Sequence, residues 1–309
     1  MKKLISTTGL SHEEWLKYRK LGIGGSDAGA ICGLNPYVSP MSVYFDKTQE
    51  DTEDYDNEAM RQGRDLEEYV ARRFTEATGF KVRRANAIYQ SDSYPFMLAN
   101  VDRMLVGEDI GLECKTASAY SADKWAGDLT PSHYEVQCHH YMAVTGASAW
   151  YLAVVIMGRE FKVVKIERDE ELIQNLIAVE SDFWNGHVVR KVMPEPDGSK
   201  ISDEIISRYF PTALREEVNL PKEFDGDLKR RADIMDLIDK LGQEQKQIDQ
   251  RIKLFMGDYE VAVNEHYRIT WSNVDTVRID SKRLKQEMPE LYHSFSKCSQ
   301  SRRFTIKAA

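Results

Sequence analysis

Apolar positions in the first eighty residues recur every three or four residues, the spacing of one helix face. They predict four helices, at 11–20, within 22–37 after the turn GIGGS, at 39–48 and at 57–80. Ser11 followed by Glu14 has the form of a capping box, and Ser26 is the predicted N-cap of the second helix.

Residues 80–189 contain both the two-residue alternation of strands and the three-to-four-residue spacing of helices. Alternating stretches predict strands near 80–90, 95–106 and 110–116, followed by a helix at 131–146, an apolar hairpin at 148–167 and a helix at 169–189. This order is typical of an α/β protein with a central mixed sheet flanked by helices. PEPDGSK at 194–200 marks a break, and 210–221 is predicted to be a loop.

From about residue 224 the pattern changes to a heptad. The seam has one polar position and consists of Ile234, Ile238, Leu241, Gln245, Ile248, Ile252 and Phe255. It predicts a long helical arm, covered by a partner helix or by the main domain, and short strands around a helix follow it. We therefore expect two domains, a core at 1–210 and an appendage at 211–309.

The amino-acid composition narrows the class of protein. The chain has 309 residues, 42% of them hydrophobic and 30% charged, as in ordinary globular proteins. It has no apolar run long enough for a bilayer and no apolar signal core, so we expect a cytoplasmic protein without membrane contact. Four scattered cysteines without a C-x-x-C pair argue against disulfides, zinc ribbons and iron–sulfur clusters.

The net charge of the chain limits how it could bind nucleic acid. A net charge of −8 argues against a protein that simply coats nucleic acid, but not against a nuclease with one basic channel. Much of the negative charge lies in QEDTEDYDNE at 49–58, a predicted solvated loop. Basic pairs elsewhere in the chain leave room for a DNA groove.

Two acidic residues and a lysine lie on the predicted hairpin of 95–116. Glu113 and Lys115 are two positions apart on one strand and share a face, with Cys114 opposite, and Asp102 lies on the preceding strand. Carboxylates bind Mg²⁺, which polarises a phosphate and acidifies a water, while a lysine orients or deprotonates that water. The pattern indicates phosphodiester cleavage, although a solvated hairpin face is the alternative for these residues alone.

Other candidates for this site are ambiguous. Glu67 could reach inward as a further carboxylate and Glu68 is expected to face solvent, but spacing does not separate them. Gln137 is a candidate to organise the water or metal shell, with simple surface solvation as the alternative. His139 and His140 are adjacent and cannot face the same way on a helix, so zinc is not expected.

The glycine-rich turn is a candidate anion site. Gly24 and Gly25 allow close backbone approach before a helix, and Arg19 lies seven residues before Ser26. A guanidinium, a hydroxyl and backbone N–H groups around one point would hold a terminal phosphate. The chain has no G-x-x-x-x-G-K-[ST] motif, so an ATP-driven motor is not expected.

Taken in order, these pieces resemble the YqaJ-type viral recombinases, relatives of the lambda-type phage exonucleases in the PD-(D/E)xK nuclease superfamily. The matching stretches are RKLGIGGSDAGAICGLNPYVSP (19–40), QGRDLEEYVARRFTEATG (62–79), Asp102 with the ECK of 113–115, YEVQCHHYMAVTG (134–146) and the tail from TWSNVD to TIK. Val101 departs from the superfamily pattern, since many members have proline there, but the carboxylate that follows is kept.

The resemblance implies a restriction-endonuclease-like α/β core with a C-terminal helical arm and a small α/β tail. It implies Mg²⁺ as cofactor, with Mn²⁺ able to substitute. It also implies residue roles: Asp102 and Glu113 as metal ligands, Lys115 as the catalytic lysine, Glu67 as an auxiliary acid, Gln137 as organiser of the shell, and Arg19 with Ser26 as ligands of the 5′-phosphate.

The activity so implied is 5′→3′ degradation of one strand of linear duplex DNA from its end. The exposed 3′ strand would pass to a single-strand annealing protein of the RecT/Bet type for phage recombination, and a ring-shaped homo-oligomer, a trimer by resemblance, would give processivity. The alternatives are a structure- or sequence-specific endonuclease of the same superfamily and a catalytically idle DNA-binding adaptor of the same fold.

Overall fold

The computed structural model of the protein describes residues 1–49, 57–127, 129–299 and 301–307, so most of the acidic segment predicted to be a loop at 49–58 lies outside the described residues. The chain divides into two compact units, Met1–Phe210 (unit 1) and Pro211–Ala309 (unit 2). No helix among the described residues has the length and apolar character needed to cross a membrane.

Unit 1 contains seven helices in its described residues. They are α1 (His12–Arg19), α2 (Gly25–Ile31), α3 (Pro40–Thr48), α4 (Glu58–Thr78), α5 (Ser132–Thr145), α6 (Glu170–Phe183) and α7 (Lys200–Tyr209). A 3₁₀ helix at Ala119–Trp125 precedes α5, and a π-helical turn at Trp184–Val189 follows α6.

Eight strands form two sheets in unit 1. They are β1 (Lys2–Ser6), β2 (Val82–Arg84), β3 (Ala87–Gln90), β4 (Leu98–Asn100), β5 (Arg103–Leu105), β6 (Ile110–Ala117), β7 (Ala149–Ile156) and β8 (Glu160–Glu167). The larger sheet has the order β2-β5-β6-β7-β8, in which only the β6–β7 pair is parallel, and the smaller has the order β1-β3-β4. The central sheet is therefore mixed, as predicted.

Helices cover both faces of the five-stranded sheet. On one face Trp150 and Leu152 of β7 pack in a core cluster with residues of α5 and α6. On the other, Leu112 of β6 packs in a second cluster with Val70 and Phe74 of α4. Because alternate residues of a strand point to opposite faces, this fixes Glu113 and Lys115 on the α5 side and Cys114 on the α4 side.

The helix ends follow local sequence chemistry. The Ser11 side chain accepts from the Glu14 N–H and Glu14 returns a bond to the Ser11 N–H, so the predicted capping box is confirmed. Helix α4 ends at Gly79 with a left-handed backbone (φ 77°), the conformation that glycine adopts without steric cost. The second helix differs from the prediction, because its N-cap is Gly24 and Ser26 lies inside its first turn.

Other sequence-based boundaries were also wrong. The strand predicted at 95–106 is two strands, β4 and β5, in different sheets, and the one near 80–90 divides into β2 and β3 around Asn86, whose φ is +49°. Helix α7 had no prediction. The helix predicted at 169–189 changes to a π-helical turn after Phe183.

Unit 2 contains the predicted long helix, α8 (Phe224–Met256), of 33 residues. A hairpin of β9 (Val261–Val263) and β10 (Arg268–Thr270) follows, and then helices α9 (Ser281–Glu287) and α10 (Pro289–Ser294). Ile248, Ile252 and Phe255 of the seam line one groove together with residues of this hairpin. Ile238 and Leu241, earlier in the seam, are 55% and 56% exposed, and the cover expected for them stays a prediction.

Candidate active site

Asp102 lies at the point where the chain passes from one sheet to the other. Residue 100 ends β4 in the smaller sheet and residue 103 begins β5 in the larger, so Asp102 occupies the bend rather than the strand that the sequence predicted. Its Oδ2 accepts a hydrogen bond from the backbone N–H of Cys114 at 2.9 Å. The bend thus directs the Asp102 carboxylate to the middle of β6, at Cys114, which lies between Glu113 and Lys115 in sequence.

Glu113 is buried, with 3% of its surface exposed. Its Oε1 accepts from the Lys115 ammonium at 2.6 Å and from Gln137 Nε2 at 2.7 Å. Gln137 Nε2 also donates to the Tyr141 hydroxyl at 3.0 Å, so α5 holds the amide in place. Among the described residues, Oε2 of Glu113 has no hydrogen-bond partner although it is buried.

An unpartnered carboxylate oxygen in a protein interior costs free energy, and it needs an explanation such as an ion. Within the described residues no three His, Cys, Asp or Glu side chains form a group able to hold a metal. The carboxylates at this centre are those of Asp102 and Glu113, whose charges act on each other. Mg²⁺ typically uses one or two carboxylates and completes its shell with water and substrate phosphates. Oxygen donors of this number and kind fit a magnesium ion.

Burial and the neighbouring negative charges together shift the pKa values at the centre. Burial, followed by the charges of Glu113 and Glu67, raises the pKa of Asp102 well above its usual value, against the opposing effect of Lys115. Burial would lower the pKa of Lys115, but the neighbouring carboxylates outweigh it and raise that pKa. The lysine is therefore a cation in this arrangement.

The structure separates the two glutamates that spacing could not. The Arg103 guanidinium is buried and pairs with both Glu67 and Glu68, the latter at 3.0 Å. Glu68 is largely exposed and also pairs with Arg84 at 2.7 Å. Glu67 is less exposed than Glu68, and it is the glutamate whose charge raises the pKa of Asp102.

Sequence reasoning missed two residues around this centre. Arg103 balances the charge of Glu67, and its signal was an arginine directly after the aspartate on a predicted strand. Tyr134, in the first turn of α5, has its ring 4.8 Å from Lys115 Nζ and stacks on Trp125 at 5.6 Å. A cation over an aromatic face is attracted to it, which helps to fix the lysine.

The glycine-rich turn brings Arg19 to Ser26. Arg19 Nη2 lies 3.3 Å from Ser26 Oγ and 3.2 Å from Asp27 Oδ1. The Ser26 side chain is exposed, while Gly24 donates its N–H to Asp27 Oδ2 at 2.9 Å. The two side chains predicted to hold a phosphate are therefore neighbours at the surface.

The turn also adjoins the carboxylate centre. A Cβ added at Gly25 would lie 2.6 Å from a ring carbon of Tyr141 and 3.0 Å from Gln137 Cγ, both on α5. Only glycine permits this approach. Gln137 contacts the turn on one side and bonds Glu113 on the other, so both groups of predicted site residues meet at one helix.

The adjacent histidines have structural partners. His139 Nδ1 lies 3.0 Å from the backbone oxygen of Glu135, whereas His140 lies between Glu180 Oε1 at 2.7 Å and the Leu98 carbonyl at 2.9 Å. The two rings therefore make different contacts, and the expectation that they do not bind zinc stays a prediction.

Comparison with known proteins places this arrangement in a family. Residues 14–148 match the model of the YqaJ-like viral recombinase domain. The uncharacterized protein YqaJ of Bacillus subtilis is 39% identical over 308 residues, which cover 98% of this chain and 97% of that protein.

Solved structures agree on the fold. A crystal structure of LHK-Exo in complex with dAMP superposes with a TM-score of 0.51 at 18% identity, covering 64% of this chain and 98% of the other. LHK-Exo is an alkaline exonuclease from Laribacter hongkongensis. The core therefore has the restriction-endonuclease-like fold of the alkaline exonucleases, with a mixed sheet flanked by helices, and the chain belongs to the YqaJ-like viral recombinase family.

Proposed function

We propose that this protein is a Mg²⁺-dependent deoxyribonuclease that degrades one strand of linear duplex DNA from its 5′ end. The observation that carries the proposal is the buried carboxylate of Glu113, with one oxygen held by Lys115 and Gln137 and the other unpartnered among the described residues, beside Asp102. Family membership and the exonuclease fold support a nuclease acting on DNA.

In the proposed reaction Asp102 and Glu113 hold the ion. Bound there, Mg²⁺ would polarise the scissile phosphate and acidify a water. Lys115 orients the attacking water through its N–H groups and balances the negative charge that accumulates on the phosphate. Gln137 keeps Glu113 in its rotamer, and Arg103 neutralises Glu67 so that the centre can approach the DNA backbone.

The second group of residues supports the proposed 5′→3′ direction. Arg19 and Ser26, with the backbone of Gly24 and Gly25, are proposed to bind the terminal 5′-phosphate, the guanidinium donating in its fork geometry. With the turn packed on α5, a bound end would leave the first phosphodiester near Glu113. The product, a 3′ single strand, suits strand-annealing recombination with an annealing protein of the RecT/Bet type.

The direct test is digestion of end-labelled linear duplex with Mg²⁺ or with a chelator, comparing 5′-phosphate with 5′-hydroxyl ends. We expect cleavage that requires the metal, releases nucleotides from the 5′ end and is faster on phosphorylated ends. Rapid cutting of covalently closed circles would instead favour an endonuclease of the same superfamily. DNA binding without any cleavage would favour the idle adaptor.

Processive digestion without an ATP motor needs the DNA to be enclosed, and we propose a ring-shaped homo-oligomer, a trimer, for this purpose. Light scattering should give a mass of three chains. A monomeric mass together with fully processive digestion would contradict the ring.

A further inference from the structure

Lys47, in α3, is a buried lysine that is not one of the residues assigned to the Asp102, Glu113 and Lys115 centre. Its side chain is fully buried, and its Nζ lies 2.7 Å from Asp27 Oδ2, 3.0 Å from Asp46 Oδ2 and 3.1 Å from the backbone oxygen of Arg19. Burying a lysine is costly unless its charge is compensated. These three oxygens compensate the charge of Lys47. Two of them belong to Asp27 and Arg19, the residues on either side of the glycine-rich turn.

Asp27 lies between two cations. Its Oδ2 accepts from Lys47 and from the Gly24 N–H, and its Oδ1 accepts from Arg19 Nη2 at 3.2 Å. Burial would raise the pKa of Asp27, but Lys47 and Arg19 lower it to about 2. The carboxylate therefore stays ionised at any pH at which a nuclease works.

The backbone and the side chain of Arg19 are both held by neighbouring residues. Lys47 binds its backbone oxygen, Asp27 and Ser26 both contact Nη2, and its Cζ lies 5.0 Å from the centre of the Trp15 ring. A free arginine loses much side-chain entropy when it is immobilised on a ligand. An arginine that is already fixed loses less. Among the described residues Asp27 and Ser26 both contact Nη2, which leaves Nε and Nη1 to donate to a ligand.

We propose that Asp27 and Lys47 form a positioning pair that sets the Arg19 guanidinium beside Ser26 to receive a terminal DNA phosphate. The pair thereby determines how strongly the protein discriminates a 5′-phosphate from a 5′-hydroxyl end. The Asp27 carboxylate orients the Arg19 guanidinium. The Lys47 ammonium offsets the negative charge of Asp27, which would otherwise repel the incoming phosphate. This inference rests on the proposed function.

A purely structural ion pair is the competing explanation, and end discrimination separates the two. The measurement is kcat/KM of the full chain with Mg²⁺ on one duplex bearing either a 5′-phosphate or a 5′-hydroxyl. Asp27→Asn keeps the shape and the acceptor for the Gly24 N–H but removes the charge. The Asp27→Asn/Lys47→Met double variant removes both buried charges, a change that folded proteins usually tolerate. Asp46→Asn is the matched control, since Asp46 contacts Lys47 without contacting Arg19.

We expect Asp27→Asn and the double variant to lose roughly tenfold in the preference for the phosphorylated end, the worth of one charge-assisted contact, with the rate on 5′-hydroxyl ends unchanged. Asp46→Asn should keep the wild-type preference. Equal slowing on both ends, or an unchanged preference in both Asp27 variants, would overturn the positioning role. Wild-type protein that cleaves neither duplex would contradict the proposed function itself, and cleavage without end preference would remove the pocket and this inference with it.

Discussion

Removing the charge of Asp102 should stabilise the metal-free protein while abolishing its activity. The Asp102 carboxylate is desolvated and lies near the charges of Glu113 and Glu67, and it accepts a hydrogen bond from the Cys114 N–H. Asparagine has nearly the same shape and can accept that bond through its own oxygen. Asp102→Asn therefore deletes the charge and leaves the packing of the bend in place.

The sign of the effect follows from the direction of the pKa shift of Asp102. Because the pKa of Asp102 is raised in the folded state, that state binds the proton more tightly, and stability falls as the pH rises through the folded pKa. The penalty is absent below the ordinary value of 3.8 and complete above the folded pKa. We expect Asp102→Asn to gain about 1–3 kcal/mol at pH 8, the usual cost of a polar group that loses water without a full set of partners. For a unit of this size, each kcal/mol raises Tm by about 2–4 °C.

The assay is thermal unfolding in a chelator at two pH values. Tryptophan fluorescence reports mainly on unit 1, which contains four of the five tryptophans. The gap between variant and wild type should narrow as the pH falls towards 4, and excess Mg²⁺ should stabilise the wild type alone, by about 2.7 kcal/mol at one hundred times Kd. Asp109→Asn, at an exposed position in the β5–β6 turn, is the control and should change stability by less than about 0.5 kcal/mol. A less stable Asp102→Asn at pH 8 without metal would show that attraction to Lys115 outweighs the crowding, and would refute this reasoning.

Three further substitutions test the surroundings of the centre. His140→Ala leaves Glu180 buried without its ion partner and should cost about 3–5 kcal/mol by urea unfolding; a loss below about 1 kcal/mol would contradict a buried pair. Gln137→Ala removes the amide that holds Glu113 and should lower kcat about 10- to 100-fold with little change in Tm, whereas an unchanged kcat would show that the amide is dispensable. Gly25→Ala puts a methyl group against α5 and should lower both Tm and kcat; wild-type values for both would contradict the close packing of the turn.

Elements with local signals could be predicted from the sequence. The capping box of Ser11 and Glu14, the long amphipathic α4 and the hairpin of β7 and β8 each carry their own periodicity and end signals, and the structure has all of them. The shared face of Glu113 and Lys115 follows from strand geometry alone. The heptad of α8 predicted its helix in the same way.

Features that depend on tertiary contacts could not be predicted. Asp102 lies in a bend because its chain leaves one sheet for another, which no local pattern encodes. Ser26 has the right chemistry for an N-cap, but the N-cap is Gly24, whose N–H donates to Asp27, and Lys47 and Arg19 hold that carboxylate. Arg103 is an ordinary strand residue until α4 brings Glu67 to it.

The most direct test of the account is cleavage and DNA binding by Lys115→Ala. The ammonium lies 2.6 Å from Glu113, in the centre proposed to cut DNA, and outside the residues proposed to hold the 5′-phosphate. With linear duplex and Mg²⁺ we expect cleavage to fall by about 100-fold or more, while binding measured with Ca²⁺ in place of Mg²⁺ stays within a few-fold of wild type. Unchanged degradation by this variant would contradict the assignment of the Asp102, Glu113 and Lys115 centre.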